Sequence, residues 1–251
     1  MRLTHSGALV VIFSSTNPDS IKQEAQRLEK IGLKRGVHFS VKMPEEGRYG
    51  YVSILKEGLA YAAFLSVYGK DEQQRRLAAE FVEYILKRAE KAGKDVYRKA
   101  EEIVEEGMSR GSQKLERFEK TVEVNGKTYV VKVIGGEAVE EKQNGKTLLR
   151  IKITAEVDGV RSEYTITYSR RGADNVVKGS ATARADAPGG READAERLAA
   201  VIKALTGKEP RIRRRSDGKI EIECGRAHLD GFVRFAELAE AIMKWLMETS
   251  R

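Results

Sequence analysis

The chain has 251 residues, 41% apolar and 33% charged, with 46 Lys and Arg against 38 Asp and Glu for a formal net charge of +8. That balance belongs to a globular protein able to bury a substantial core and excludes disordered and collagen-like classes. A single cysteine excludes an internal disulfide and a cysteine-cluster metal site. No apolar run reaches the roughly 18–20 residues of a membrane helix, so no membrane association is expected.

In chain order, Ala8–Ser14 opens with a continuous apolar run that predicts a central strand. Asn17-Pro18-Asp19 then starts a helix, with Asn17 as cap and Pro18 at the first helical position. Ile21, Ala25, Leu28 and Ile31 recur at helical spacing, and Gly32 supplies the stop. Val37–Met43 and Tyr49–Leu55 read as a hairpin around a turn at Pro44–Arg48, and Glu57–Tyr68 as an apolar, small-residue helix suited to close helix–helix contact. Asp71–Glu106 is one long amphipathic helix or two in sequence, with Gly93 as the interruption. Met108–Gln113 reads as a linker.

A run of antiparallel strands follows. Thr121–Val124 and Thr128–Ile134 flank Asn125-Gly126, a strong hairpin signal. Asn144-Gly145 and Asp158-Gly159 mark two more turns, bordering Leu148–Val157 and Ser162–Ser169. Gly135-Gly136 and Gly189-Gly190 read as loops. The last stretch gives a strand at Ser180–Ala185, a helix at Ala193–Leu205, strands at Pro210–Arg215 and Lys219–Cys224, and a closing helix at Ala236–Glu248. Its strand–helix–hairpin–helix order matches that of the N-terminal stretch. The expected fold is therefore α+β, with an internal pseudo-repeat of antiparallel sheets and helices on one face. Its parts are a first unit over 1–70, a helical bridge and linker over 71–113, and a sheet with the second unit over 114–251. Extra strands precede the second copy and not the first, which suggests that the first is a truncated half. Convergence on an easily reached arrangement is the alternative.

The net charge favours a polyanionic partner. Arg211, Arg213 and Arg215 lie two apart and so emerge from one face of a strand, as do Arg150 and Lys152, Thr165 and Thr167, and Thr182 and Arg184. Arg170 and Arg171 extend the set at the rim. Together these residues predict a basic sheet face that could bind nucleic acid, provided that no acid intervenes. The competing reading is an ordinary solvated face, with Glu221 and Glu223 neutralising the arginines across the ladder.

Motifs for phosphate loops, dinucleotides, serine hydrolases and zinc proteases are absent. His5, His38 and His228 lack metal-ligand spacing, His228 reads as a turn residue, and Cys224 as a small buried hydrophobe. Asp71, Glu72 and Asp186 are candidates for Mg²⁺-assisted phosphodiester cleavage, although helix capping is the commoner use of such acids. A binding protein without cofactor is thus favoured over an enzyme, with Mg²⁺ required only for a nuclease. A third reading is an interaction module presenting the apolar stripe of Asp71–Glu106.

The stretches Leu33–Lys42, Ala183–Arg197 and Cys224–Phe232 resemble the Pyrobaculum repeat family (PaRep, type 2b), a multicopy group of hyperthermophilic crenarchaea. Richness in Lys, Glu and Arg fits such a source. The resemblance implies a cytoplasmic archaeal protein with longer relatives extending upstream of Met1, and no activity. The architecture is also similar to LAGLIDADG homing endonucleases, whose sheets saddle DNA and whose small-residue helices end in catalytic acids. Leu59–Leu65 with Asp71 is a loose counterpart, but it follows a hairpin and has no second copy. The expected partner is nucleic acid, DNA more than RNA, with the oligomeric state left open.

Overall fold

The computed structural model describes residues 1–46, 48–172 and 176–248. The described residues divide into two compact units, 1–110 and 111–248, so the boundary falls inside the expected linker.

The first unit runs β1 (Arg2–Leu3), β2 (Leu9–Ser15), α1 (Pro18–Ile31), β3 (Phe39–Lys42), β4 (Gly50–Ile54), α2 (Lys56–Tyr68), α3 (Glu72–Ala92) and α4 (Lys94–Met108). Its strands form an antiparallel sheet in the order β1-β2-β4-β3. The turn expected at Pro44–Arg48 includes Gly47, which lies outside the described residues. Asn17 caps α1 by accepting from the Asp19 N–H at 2.9 Å, and Gly32 ends it in the left-handed region at φ 106°. Ile21, Leu28 and Ile31 meet Phe39, Val52 and Ile54 in the core. The helix α2 is apolar around most of its circumference and therefore lies inside the helical layer. A Cβ at Gly107 of α4 would collide with the Ala60 carbonyl oxygen, and one at Gly58 with the His38 carbonyl oxygen, so both glycines are set by close backbone approach. Gly93, at φ 126°, separates α3 from α4.

Two expectations are corrected here. The helices of 71–113 are no bridge, because Phe81, Val82, Ile85, Ile103 and Val104 belong to the same core as Val11 and Ile21. Their apolar stripe is buried within the unit and is therefore not offered to a partner.

The second unit comprises β5 (Glu119–Val124), β6 (Lys127–Gln143), β7 (Lys146–Val157), β8 (Val160–Arg171), β9 (Val176–Thr182), α5 (Gly190–Thr206), β10 (Arg211–Arg214), β11 (Ile220–Gly225), α6 (Arg226–Phe232) and α7 (Ala236–Glu248). Its seven strands form one antiparallel sheet in the order β10-β11-β9-β8-β7-β6-β5. Asn125-Gly126, Asn144-Gly145 and Asp158-Gly159 all take positive φ at both positions, the two-residue turn that the strand twist favours. Gly135-Gly136, expected as a loop, instead continues β6 past a bulge at Val133/Gly135, with Gly136 pressed against the Lys152 carbonyl of β7. His228, expected in a turn, instead belongs to the short helix α6, and its Nδ1 accepts the Gly225 N–H at 3.1 Å.

The α+β fold is present, and the two units share one strand arrangement. In the first unit β2 pairs with β4, and β4 with β3; in the second β9 pairs with β11, and β11 with β10, all antiparallel. A helix links the first and second strands of each trio in the chain. The core side of the seven-stranded sheet carries Val131, Leu149, Ile151, Ile153, Tyr164, Ile166, Tyr168 and Ile222, covered by buried residues of α5 and α7. Trp245 closes that layer, donating from Nε1 to the Thr147 carbonyl at 2.9 Å. The opposite face is open.

Candidate nucleic-acid interface

Alternation along the strands fixes what the open face presents. With Ile151, Ile153, Ile166 and Tyr168 buried, Arg150, Lys152, Thr165, Thr167, Ser169 and Arg171 must point away from the helices. On β9 and its neighbours the same rule brings out Lys178, Ser180, Thr182, Glu221, Glu223, Arg211 and Arg213. The register aligns them. Arg211, Glu223, Ser180, Thr167 and Arg150 form one continuous row across β10, β11, β9, β8 and β7. Next to it Arg213 faces Glu221, which faces Thr182, while Lys152 faces Thr165. At about 4.8 Å per strand, the arginines of β10 and the cations of β7 stand roughly 19 Å apart. Between them lie Glu221 and Glu223 of β11 and the hydroxyls of Ser180, Thr182, Thr165, Thr167 and Ser169 on β9 and β8, with Glu163 farther along β8.

The cations are largely partnered. Arg150 lies 2.8 Å from Glu141 and Lys152 3.2 Å from Glu137, both on β6. Arg213 lies 3.7 Å and Lys178 3.0 Å from Glu223, and Arg215 is 2.5 Å from Glu221. The Lys178 ammonium bonded to Glu223 holds that carboxyl below the usual carboxylate range, with Arg213 and Arg211 adding to the effect. Among the described residues Arg171 and Arg211 form no ion pair within 4 Å. The expected face free of acids is thus corrected: glutamates of β6 and β11 are interleaved with its cations. Cross-strand pairing of opposite charges is the stable arrangement on a solvated ladder.

Two further residues expected on this face lie elsewhere. Arg170 shares the register of Tyr168 and so points into the helix layer, 5.3 Å from the Trp245 ring centroid, donating to the Leu246 carbonyl at 3.1 Å. Burial lowers its proton affinity. Arg184 lies beyond the end of β9 and turns to α5, where it meets Asp194 through its backbone N–H at 2.8 Å and its guanidinium at 2.8 Å. Its ring neighbour is Tyr164, at 5.2 Å. Hydrogen bonding to Asp194 raises its proton affinity, as befits a structural pair. Arg150, Lys152, Arg171, Arg211, Arg213 and Arg215 remain on the open side. Lys178 and Ser180 complete the pattern. Lys178 was hidden from the sequence because the expected strand begins at Ser180, although its period-two offset from Ser180 would have placed it.

The acids considered for Mg²⁺ do not form a donor set. Asp71 caps α3 by accepting from the Gln74 N–H at 2.8 Å, Glu72 stands in the first turn of that helix, and Asp186 is an exposed residue after β9. Among the described residues no group of three or more His, Cys, Asp or Glu side chains is placed to hold a metal. Likewise, no helix is long and apolar enough to cross a membrane. No family model, curated protein or solved structure matches the chain.

Proposed function

We propose that this protein binds nucleic acid, duplex DNA in preference to RNA, through the open face of the seven-stranded sheet. The observation that carries the reading is the row Arg211, Glu223, Ser180, Thr167 and Arg150, which sets hydroxyls between two sets of cations with Glu223 as the one acid in it. Hydroxyls and arginines are the usual partners of phosphate oxygens, and such contacts position a duplex without reading its sequence. The interleaved glutamates weaken the field and make binding modest and strongly salt-dependent.

The test is fluorescence anisotropy with labelled duplex DNA, and single-stranded RNA beside it, across a salt series. Removing Arg171, Arg211 and Arg213 together as serines should flatten the slope of log affinity against log salt by about 2–3, near 0.9 for each phosphate that is no longer neutralised. Glu221→Gln with Glu223→Gln should tighten binding. Arg184→Ser should leave the slope untouched. No binding at low salt, or a slope indifferent to the triple substitution, would sink the reading.

A further inference from the structure

We infer that this protein associates head to tail, the β10 edge of one copy pairing with the β5 edge of a second copy as parallel strands. The seven-stranded sheet then continues from copy to copy. Among the described residues no strand lies beyond β10 or beyond β5 in that sheet, and each such edge is a template for another strand. Neighbouring strands are antiparallel throughout, and their number is odd, so the two edge strands run in the same direction. A second copy set alongside without being turned over therefore brings its β10 parallel to β5, with both open faces on one side.

The backbone polar groups of the two edges match this pairing. The Arg215 N–H bonds the Lys219 carbonyl, so by alternation Arg211 and Arg213 turn toward β11, while Ile212 and Arg214 turn outward. The Val133 N–H bonds the Phe118 carbonyl, so Lys120 and Val122 turn toward β6, while Glu119, Thr121 and Glu123 turn outward. With Thr121 set beside Arg213, a parallel ladder forms from these outward groups alone. Thr121 donates to the Ile212 carbonyl and accepts from the Arg214 N–H. The Glu119 carbonyl accepts from Ile212, and the Glu123 N–H donates to the Arg214 carbonyl. The Glu123 carbonyl has no place in this ladder, and Lys203 of α5 already caps it. Nor does the ladder ask anything of the N–H that Pro210 lacks.

Charge selects the occupant. The same register sets Glu119 beside Arg211 and Glu123 beside Arg215, all on the open side. Glu119, Glu123 and Arg211 are exposed and form no ion pair among the described residues. Arg215 lies 2.5 Å from Glu221, and its guanidinium has further N–H groups to offer. Two β10 edges together would set arginine against arginine, and two β5 edges glutamate against glutamate. Like edges therefore repel and unlike edges attract. Such a contact is heterologous and leaves one free edge of each kind on the pair, so growth runs past a dimer.

The test is sedimentation velocity of the full chain over a concentration series, at low and high salt and without nucleic acid. The expected result is a species that grows past the dimer as concentration rises and shrinks as salt is added. Glu119→Arg and Arg211→Glu should each weaken association at least about tenfold. Combining both in one chain reverses the pair and should restore it. Thr121→Pro removes an N–H that takes no part in the β5–β6 ladder and should also abolish growth, with Trp245 fluorescence confirming that the unit remains folded. The proposal is overturned by a monomer at every concentration, or by a dimer that grows no further, which would assign the contact to a twofold interface. It is equally overturned by association indifferent to these substitutions, or by a double substitution that restores nothing.

Discussion

The two strand–helix–hairpin copies share topology and differ in what surrounds them. β9 is an interior strand, held by β11 on one side and β8 on the other, whereas β2 is covered along one edge only over Leu9 and Val10. Their buried polar groups differ as well. The second copy encloses an ion-pair cluster, Asp194 with Arg184 and Arg197, and the first sets a buried histidine, His38, stacked on Tyr61 at 4.6 Å, near the pair of buried Arg110 with Glu57. The surroundings that the remaining chain supplies decide which surfaces stay open.

The largest expected effect tests the second copy. Asp194 is nearly fully buried, and Arg197 beside it is 10% exposed, so Asp194→Ala leaves buried positive charge without its carboxylate. Removing one partner of a buried pair costs about 3–5 kcal/mol. The half-exposed Arg184 places this case at the lower end, about 3 kcal/mol. Denaturant unfolding followed by Trp245, the sole tryptophan, should show it. A loss under about 1 kcal/mol would mean that the cluster is dispensable.

The first copy should respond to pH instead. Burial lowers the His38 pKa from 6.5 to about 4, with nearby Arg110 and Lys34 acting in the same direction and Glu57 against it. Its Nδ1 accepts the Lys34 N–H at 3.0 Å, while Nε2 is buried without a hydrogen-bond partner among the described residues. The unfolded chain therefore binds the extra proton between pH 6.5 and about 4, and folding loses stability as pH falls through that window. At about 1.4 kcal/mol per tenfold in proton affinity, the full effect is on the order of 3 kcal/mol. His38→Gln should flatten the pH dependence of exchange protection in α2 between pH 7 and 4. An unchanged profile would place the ring's ionisation elsewhere.

A smaller effect distinguishes packing from polarity in that same copy. Gly58→Ala forces a methyl against the His38 carbonyl, in a helix whose neighbours leave it little room to move. Overpacking of this type costs about 1–3 kcal/mol. Faster exchange in α2, with the Trp245 transition unmoved, is the expected outcome; no change in exchange would show that the backbones can separate.

How much of this could be read beforehand depends on how local the cause was. Asn125-Gly126, Asn144-Gly145 and Asp158-Gly159 each fix a hairpin through their own φ preferences, and the structure keeps all three. Gly93 splits the long helix for an equally local reason. Gly135-Gly136 misled because the same residue type serves a loop or a bulge, and only the Lys152 carbonyl of the neighbouring strand decides between them. Alternation placed Arg150, Lys152, Arg211 and Arg213 on one face, a property of each strand alone. It was silent about Glu137 and Glu141, which reach those cations only through the register of β6 on β7. Arg184 escaped for a related reason, since its partner Asp194 belongs to a helix that packs back from ten residues on.

The smallest effect separates the starts of the two corresponding helices. α1 begins with Asn17, whose side chain accepts a backbone N–H, whereas α5 begins at Gly189 in the left-handed region with no side-chain cap. Asn17→Ala should cost about 1 kcal/mol, because one donor at the helix start loses its acceptor without gaining easy access to water. Asn17→Gly should cost only a few tenths of a kcal/mol. If both substitutions cost the same, the side-chain hydrogen bond is not what holds the first turn, and Pro18 with its fixed φ must carry that role.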